Sequence, residues 1–322
     1  MIVVTGAAGF IGCNLMLGLN AQGRTDIIAV DDLTDGHKFK NLAAAQYADY
    51  MDQDDFIHQI LSGEPFEKPI DAIFHQGACS TTTEWNGHYM MKNNYDYPKI
   101  LLNYATQHQI PFIYASSAAV YGADTTFCDD DDTMQQPLNV YGYSKWMFDC
   151  YVKQRWQSFT APVVGLRYFN VFGPHENHKG SMASVAFHLM SQLRDNNTVK
   201  LFEGHDGYDN GEQRRDFVYI KDVVAVNLWC WQNNISGIYN CGTGVSRTFN
   251  DIATTLISLN NSGSLQYIPF PEHLKGAYQS FTQANMARLH QAGYQAPMTT
   301  LEQGLEQYYD WFHQRITAEA LY

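Results

Sequence analysis

The sequence predicts an α/β protein, a Rossmann-type doubly wound parallel sheet with a smaller mixed α/β substrate domain. Three observations predict it. The opening residues Met1-Ile2-Val3-Val4-Thr5 form an apolar run that meets a glycine-rich turn, and residues 13–19 then continue apolar at helical spacing. That order is strand, turn, helix. Short apolar runs recur at residues 27–30, 72–75 and 112–115, each the length of a strand buried on both faces. Downstream of the last run, Tyr141 and Lys145 stand four residues apart, on one face of a helix.

Bulk properties set the class. The chain has 322 residues, 45% of them hydrophobic and 16% charged, enough for a large core and two lobes. A formal net charge of -13 argues against a nucleic-acid surface and against a basic membrane-binding patch. The six cysteines are scattered, with no Cys-x-x-Cys pair, so neither a metal site nor a disulfide framework is expected. No basic segment precedes the first apolar residues, and no run approaches the ~20 apolar residues that span a bilayer. The expectation is a soluble, cytoplasmic protein.

The elements follow in order. In Gly6-Ala7-Ala8-Gly9-Phe10-Ile11-Gly12 the glycines let the turn close and let backbone N–H groups approach a pyrophosphate at the positive end of the next helix. The run at 27–30 ends in Asp31-Asp32, where an acid holds an adenosine ribose. Lys38 and Lys40 follow; they could meet a 2′-phosphate or lie on an exposed loop, so charge alone leaves NAD and NADP both open. The run at 72–75 leads into Gln76-Gly77-Ala78-Cys79, small residues that let the chain pass close to a cofactor. His75 reads as a strand-end histidine and Cys79 as a small filler. Asn93-Asn94 open a helical pattern and either cap it or face the cofactor. The run at 112–115 leads to Ser116-Ser117, and the Ser117 hydroxyl is placed to bond a substrate oxygen. The acidic run at 129–132 reads as a solvated loop. Tyr141 is the candidate base: a phenol titrates near ~10, and the Lys145 ammonium beside it favours the ionised form.

These motifs, with Arg167-Tyr168-Phe169-Asn170-Val171-Phe172-Gly173-Pro174, resemble the extended short-chain dehydrogenase/reductase family. Residues 80–85, 178–188, 200–204 and 270–276 narrow the resemblance to its nucleotide-sugar epimerases that act on carbon 6 of an ADP-heptose, a sugar destined for bacterial lipopolysaccharide. The resemblance implies bound NADP, with NAD possible, an ADP-heptose substrate, and a homo-oligomer, a pentamer. It implies that Lys179 is a second acid/base residue, and that Lys145, Val171 and Lys179 also touch the cofactor. On the substrate it places Asn170, Ser181, His188, Phe202, Glu203, Gly204, His205, Arg215 and Tyr278. Arg215 has a rationale of its own, since a guanidinium grips diphosphate oxygens in a fork; an ion pair with Asp216 is the other reading. Lys179 on its own reads as a diphosphate-binding cation or a surface residue, and His178 as structural. Two departures stand out: Gln53 occupies a position where the resembled enzymes carry a lysine, and the segment 207–214 is longer than theirs.

The implied chemistry is coherent. Carbon 6 carries no acidic hydrogen, so inversion goes by transient oxidation to a ketone, which turns and takes its hydride back on the other face. A turned ketone presents its oxygen elsewhere, so two acid/base residues are wanted. A dehydratase on the same fold needs an acid pair beside Ser117, where Ala118-Ala119 stand. A binding protein that had lost catalysis would have lost Tyr141 or Lys145. The dinucleotide domain is expected in 1–169 with 216–244, and the substrate domain in 170–215 with 245–322.

Overall fold

The apolar runs become strands covered on both faces. The computed structural model describes residues 1–129, 135–272 and 279–319, with side chains as far as residue 315. Its strands are β1 (Ile2–Thr5), β2 (Ile27–Asp31), β3 (Asp49–Asp52), β4 (Ala72–His75), β5 (Phe112–Ser117), β6 (Val163–Tyr168), β7 (Asn170–Phe172), β8 (Thr198–Phe202), β9 (Arg214–Tyr219), β10 (Gly237–Cys241), β11 (Ser246–Thr248) and β12 (Ser264–Ile268). Seven pair in the order β10-β6-β5-β4-β1-β2-β3, every pairing parallel. The winding reverses between β1 and β4, which opens a crevice at their C-terminal ends.

The helices are α1 (Phe10–Ala21), α2 (Phe39–Leu42), α3 (Gln53–Ser62), α4 (Gly87–Met91), α5 (Tyr97–Gln107), α6 (Val140–Gln154), α7 (Val185–Asn196), α8 (Ile220–Gln232), α9 (Phe249–Leu259), α10 (Ala287–Gln291) and α11 (Leu301–Glu319). On one side of the large sheet, α1 packs against α8, and residues such as Leu15, Met16, Val223 and Leu228 join a core that continues into α9 and α11. On the other side, Phe56, Leu101, Leu102 and Phe148 from α3, α5 and α6 cover Val3, Ile73 and Phe112. Among the described residues no helix is long and apolar enough to cross a membrane.

Four features depart from the sequence reading. The strands β3 and β6 carry no unbroken apolar run: Asp-Tyr-Met-Asp is half exposed, and β6 is interrupted by Gly165 and Arg167 although it is wholly buried. Residues 216–219 do not rejoin the large sheet; β9 pairs with β7 and β11 in a small separate sheet, and only β10 returns, alongside β6. Asp129 is not solvated; it is 2% exposed and accepts the Asn240 N–H at 3.1 Å, while 130–132 lie outside the described residues. Asn93 and Asn94 do not open a helix but sit in a π-turn, Lys92–Asp96, that joins α4 to α5.

Candidate active site

The glycine turn is shaped by contact with its own backbone. Gly6 has φ +67°, and a Cβ on it would lie 2.5 Å from Gly77 N; a Cβ on Gly12 would lie 2.0 Å from Gly6 O. Only glycine fits at either position. Gly9 precedes α1 without any side-chain cap, and the first turn holds no acid, so the positive end of a 12-residue helix faces the crevice. A cavity of about 980 Å³ opens there. Gly6, Gly9, Phe10, Ile11, Gly12, Asp31, Asp32, Lys38, Gln76, Gly77, Ala78, Cys79, Asn93, Lys145, Val171 and Lys179 all line it. The uncapped helix end and the glycine cradle fit the pyrophosphate of a dinucleotide.

At one end of this cavity, Asp31 accepts the Ala8 N–H at 2.8 Å and pairs with Lys38 at 2.6 Å. Lys38 is therefore no free loop lysine, whereas Lys40 is exposed and does not line the cavity. Beyond β4, Gln76 accepts from the Tyr168 hydroxyl at 3.0 Å and donates to Asn227 at 3.2 Å. Asn94, 1% exposed, grips Cys79 twice: its oxygen takes the Cys79 N–H and its amide donates to the Cys79 carbonyl, both at 2.9 Å. Asn93 lines the cavity while its neighbour holds the wall in shape. His75 is a core residue, bonded to Thr5 at 2.7 Å and stacked between Tyr97 and Phe112. Burial pushes it down to about 3.

Asn139 caps α6 by accepting the Gly142 N–H at 2.8 Å, which starts the helix one residue before Tyr141. Tyr141 and Lys145 then line the cavity together with Ser117, at the end of β5. The Lys145 ammonium donates to the Ala115 carbonyl at 2.9 Å. Burial pushes it down to about 8, opposed by the charge of Asp149. Burial also raises the Tyr141 phenol above its ordinary value, opposed by a hydrogen bond with Ser117. Cys79 adds to the rise. At neutral pH these protein groups hold it protonated.

Lys179 reaches the same cavity from the other half of the chain, on a 3-10 segment, Asn177–Met182. Its ammonium lies 5.5 Å from the centre of the Phe10 ring, and burial lowers its pKa against the charge of Glu176. The segment is clamped at both ends by Glu176, which is fully buried and accepts from Gly173 N at 3.3 Å and from the Ser184 hydroxyl at 2.7 Å. Asn41 ties it to the glycine turn, donating to the carbonyls of Ala8 and His175 at 2.9 and 3.1 Å. His178 also meets Asn41, at 3.2 Å. Sequence reasoning missed Asn41 and Glu176, and named Asn94 without its tie to Cys79; no local signal marks Asn41, because its contacts cross long stretches of chain.

Asn170, Ser181 and Arg215 line the cavity too. Asp216 does not pair with Arg215; its carboxylate is filled by Thr243, Gly244 and Ala284 N–H groups at 2.8–2.9 Å and by the Thr243 hydroxyl at 2.7 Å. Arg214 is turned away to Ser246, which leaves Arg215 as the arginine on the cavity wall. His188, Phe202, Glu203, Gly204 and His205 are not part of this wall. Phe202 and His205 instead pack on the Phe270 ring, at 5.5 and 4.4 Å between centres, and His188 lies edge-on to Phe187. Tyr278 lies outside the described residues.

A profile of the NAD dependent epimerase/dehydratase family matches residues 2–242. The structure of Helicobacter pylori ADP-L-glycero-D-manno-heptose-6-epimerase is 32% identical over 97% of this chain and 96% of that one, with a TM-score of 0.82. Thermotoga maritima UDP-glucose 4-epimerase is 25% identical, over 98% and 99%, at 0.80. UDP-N-acetylglucosamine 4-epimerase from Methanobrevibacter ruminantium, 24% identical over 98% of each chain at 0.83, shares the fold. With a match that spans three quarters of its length and the glycine cradle, Ser117, Tyr141 and Lys145 gathered on one cavity, the chain belongs to the NAD dependent epimerase/dehydratase family.

Proposed function

We propose that the protein inverts carbon 6 of an ADP-heptose, converting ADP-D-glycero-D-manno-heptose to its L-glycero isomer through a transient 6-ketone. The observation that carries this reading is that Tyr141 on α6 and Lys179 on the 177–182 segment line one cavity, two proton-transfer groups from unrelated parts of the chain. An epimerisation that turns its ketone needs two. The H. pylori enzyme supports the choice of sugar.

Gly6, Gly9 and Gly12 with the N-terminus of α1 hold the dinucleotide pyrophosphate, Asp31 its adenosine ribose, and residues 76–79 with Asn93, Lys145 and Val171 the nicotinamide half. When bound, the nicotinamide accepts hydride from the sugar carbon and returns it. Ser117 and Tyr141 hold the substrate hydroxyl, and Tyr141 exchanges its proton. The positive charge of Lys145 and of an oxidised nicotinamide ring offsets the burial that keeps the phenol protonated. Lys179, lowered by burial, exchanges the proton at the opposite face. Asn170, Ser181 and Arg215 hold the sugar and its diphosphate.

The test is an incubation with ADP-heptose in deuterium oxide. Interconversion of the isomers with no deuterium at carbon 6 is expected. Deuterium at that carbon, loss of water, or turnover of UDP-hexoses in preference to ADP-heptose would each overturn the proposal.

A further inference from the structure

We propose that Glu176 is a positioning residue for the reaction: its buried carboxylate holds the segment that carries Lys179 and sets the charge state of that lysine. This rests on reading Lys179 as a proton-transfer group. After Lys179 the chain turns at Gly180, with φ +54° and nothing within 4 Å of a Cβ built there, so packing does not hold the chain at that point. Its hold comes from Glu176. One carboxylate oxygen accepts the Gly173 N–H at 3.3 Å and the Ser184 hydroxyl at 2.7 Å, and the other accepts the Ser184 N–H. Ser184 in turn caps α7, accepting the Phe187 N–H at 3.2 Å. A single side chain therefore joins the end of β7, the Lys179 segment and the start of α7, and Val171, Lys179 and Val185 from these three all line the cavity.

The same carboxylate is the anion that Lys179 meets. Lys179 donates its backbone N–H to the Glu176 carbonyl at 2.9 Å, and side chains three apart on such a 3-10 turn project on the same side. Every partner of the carboxylate is a donor, the pattern of an ionised acid. The anion acting on Lys179 is Glu176, and the cation acting on Glu176 is Lys179. Around the segment, His175 and His178 are pushed down by burial, so both are neutral at pH 7. Tyr308 of α11 is raised well above its ordinary value by burial and by the charge of Glu176, and it stays a neutral phenol. The charged neighbours are Arg315 of α11, which acts on His175, and Lys38, Asp31 and Asp35, which act on His178. Loss of the charge at position 176 leaves the burial of Lys179 unopposed, which lowers its pKa further.

The experiment compares Glu176→Gln, which removes the charge, with Ser184→Ala, which removes one tie and keeps the charge. Two readouts are taken across pH: kcat and KM for isomer interconversion, and the labelling of Lys179 by acetic anhydride, followed by peptide mass spectrometry. In Glu176→Gln, the limb of the kcat profile that Lys179→Met abolishes and the midpoint of Lys179 labelling should both move to lower pH. Its kcat should fall about tenfold or more, with dinucleotide still bound. Ser184→Ala should lower kcat several-fold and leave KM, limb and labelling midpoint unmoved. A Glu176→Gln protein with the parent's limb and midpoint would overturn the inference. Should that variant not fold, a Ser184→Ala enzyme with the parent's kcat would overturn it instead. A parent protein that leaves ADP-heptose unchanged would overturn the proposed function, and the labelling, which needs no substrate, would still decide this inference.

Discussion

Lys145 and Asp149, one turn apart on α6, clasp three consecutive residues of β5. Lys145 donates to the Ala115 carbonyl at 2.9 Å, while Asp149 accepts from the Tyr114 hydroxyl at 2.9 Å and the Ser116 hydroxyl at 3.0 Å. Ser117 is the next residue, so the same clasp sets the register between Ser117 on the strand and Tyr141 on the helix. Asp149 also takes Arg167 Nε at 2.9 Å, with both side chains buried, and Arg167 goes on to Tyr121 and Gln135.

Removing one partner of that pair strands the other's charge in the core. Asp149→Ala is expected to cost about 3–5 kcal/mol, read from the urea midpoint at an unchanged slope. A loss under about 1 kcal/mol would show that the pair does not hold the clasp.

Lys145 makes stability depend on pH with a definite sign. Its pKa is about 8 in the folded protein against 10.5 for the ordinary group. Between those values the unfolded chain keeps a proton that the folded chain has released, so stability attributable to Lys145 rises with pH across this window. Below pH 8 both states are charged, and the cost of burying the ammonium is present in full. Relative to Lys145→Met, the wild-type protein should gain on the order of 2–3 kcal/mol from pH 8 to 10.5, by denaturant titration at each pH. A difference that stays flat, or shrinks, would mean that Asp149 and the Ala115 carbonyl hold the ammonium charged.

Much of this site is legible in the sequence because its chemistry is local. Gly6, Gly9 and Gly12 announce their turn by spacing, and Tyr141 and Lys145 share a helix face because they are four apart. Ser117 follows an apolar strand. What the sequence hides is whatever two distant segments make together. Asn41 meets the segment that carries Lys179 across more than 130 residues, and Asp149 finds Arg167 only once α6 and β6 lie against β5. Local reading also misjudged charge. Asp129 looks solvated within an acidic run, yet it is buried on Asn240; of the two readings of Arg215, the ion pair with Asp216 is the one that falls, because that carboxylate is filled by backbone N–H groups. Periodicity had no hold on β3 or β6, whose polar and glycine residues interrupt the apolar pattern.

The two proposed proton-transfer residues should separate cleanly from the dinucleotide site. Tyr141→Phe and Lys179→Met are each expected to slow isomer interconversion by about 10²-fold or more, with dinucleotide still bound by absorbance. Either variant running at the parent rate would dismiss the two-base assignment. On the proposed role Lys179 gives up and takes a proton, so Lys179→Arg should be as slow as Lys179→Met: a guanidinium keeps the charge but cannot give up its proton.

Arg214 and Arg215 are neighbours in β9 with opposite fates, and substituting them one at a time tests which face of that strand meets substrate. Side chains alternate along a strand. Arg214 donates to the Ser246 hydroxyl and carbonyl at 3.1 and 2.7 Å, across the β9–β11 pairing, whereas Arg215 is 5% exposed, lies 5.8 Å from the centre of the Phe249 ring and lines the cavity. Loss of a charge-assisted grip on a diphosphate is worth about 1.5–3 kcal/mol, so Arg215→Ala should raise KM for the nucleotide sugar about 10- to 100-fold with a smaller change in kcat. Arg215→Lys should recover only part of this, since an ammonium cannot form the fork. Arg214→Ala should leave KM alone and lower stability by about 1–2 kcal/mol, through the lost tie to β11. If the KM effect followed Arg214 instead, the diphosphate would lie on the other face of β9 and the cavity described here would hold the cofactor without its substrate.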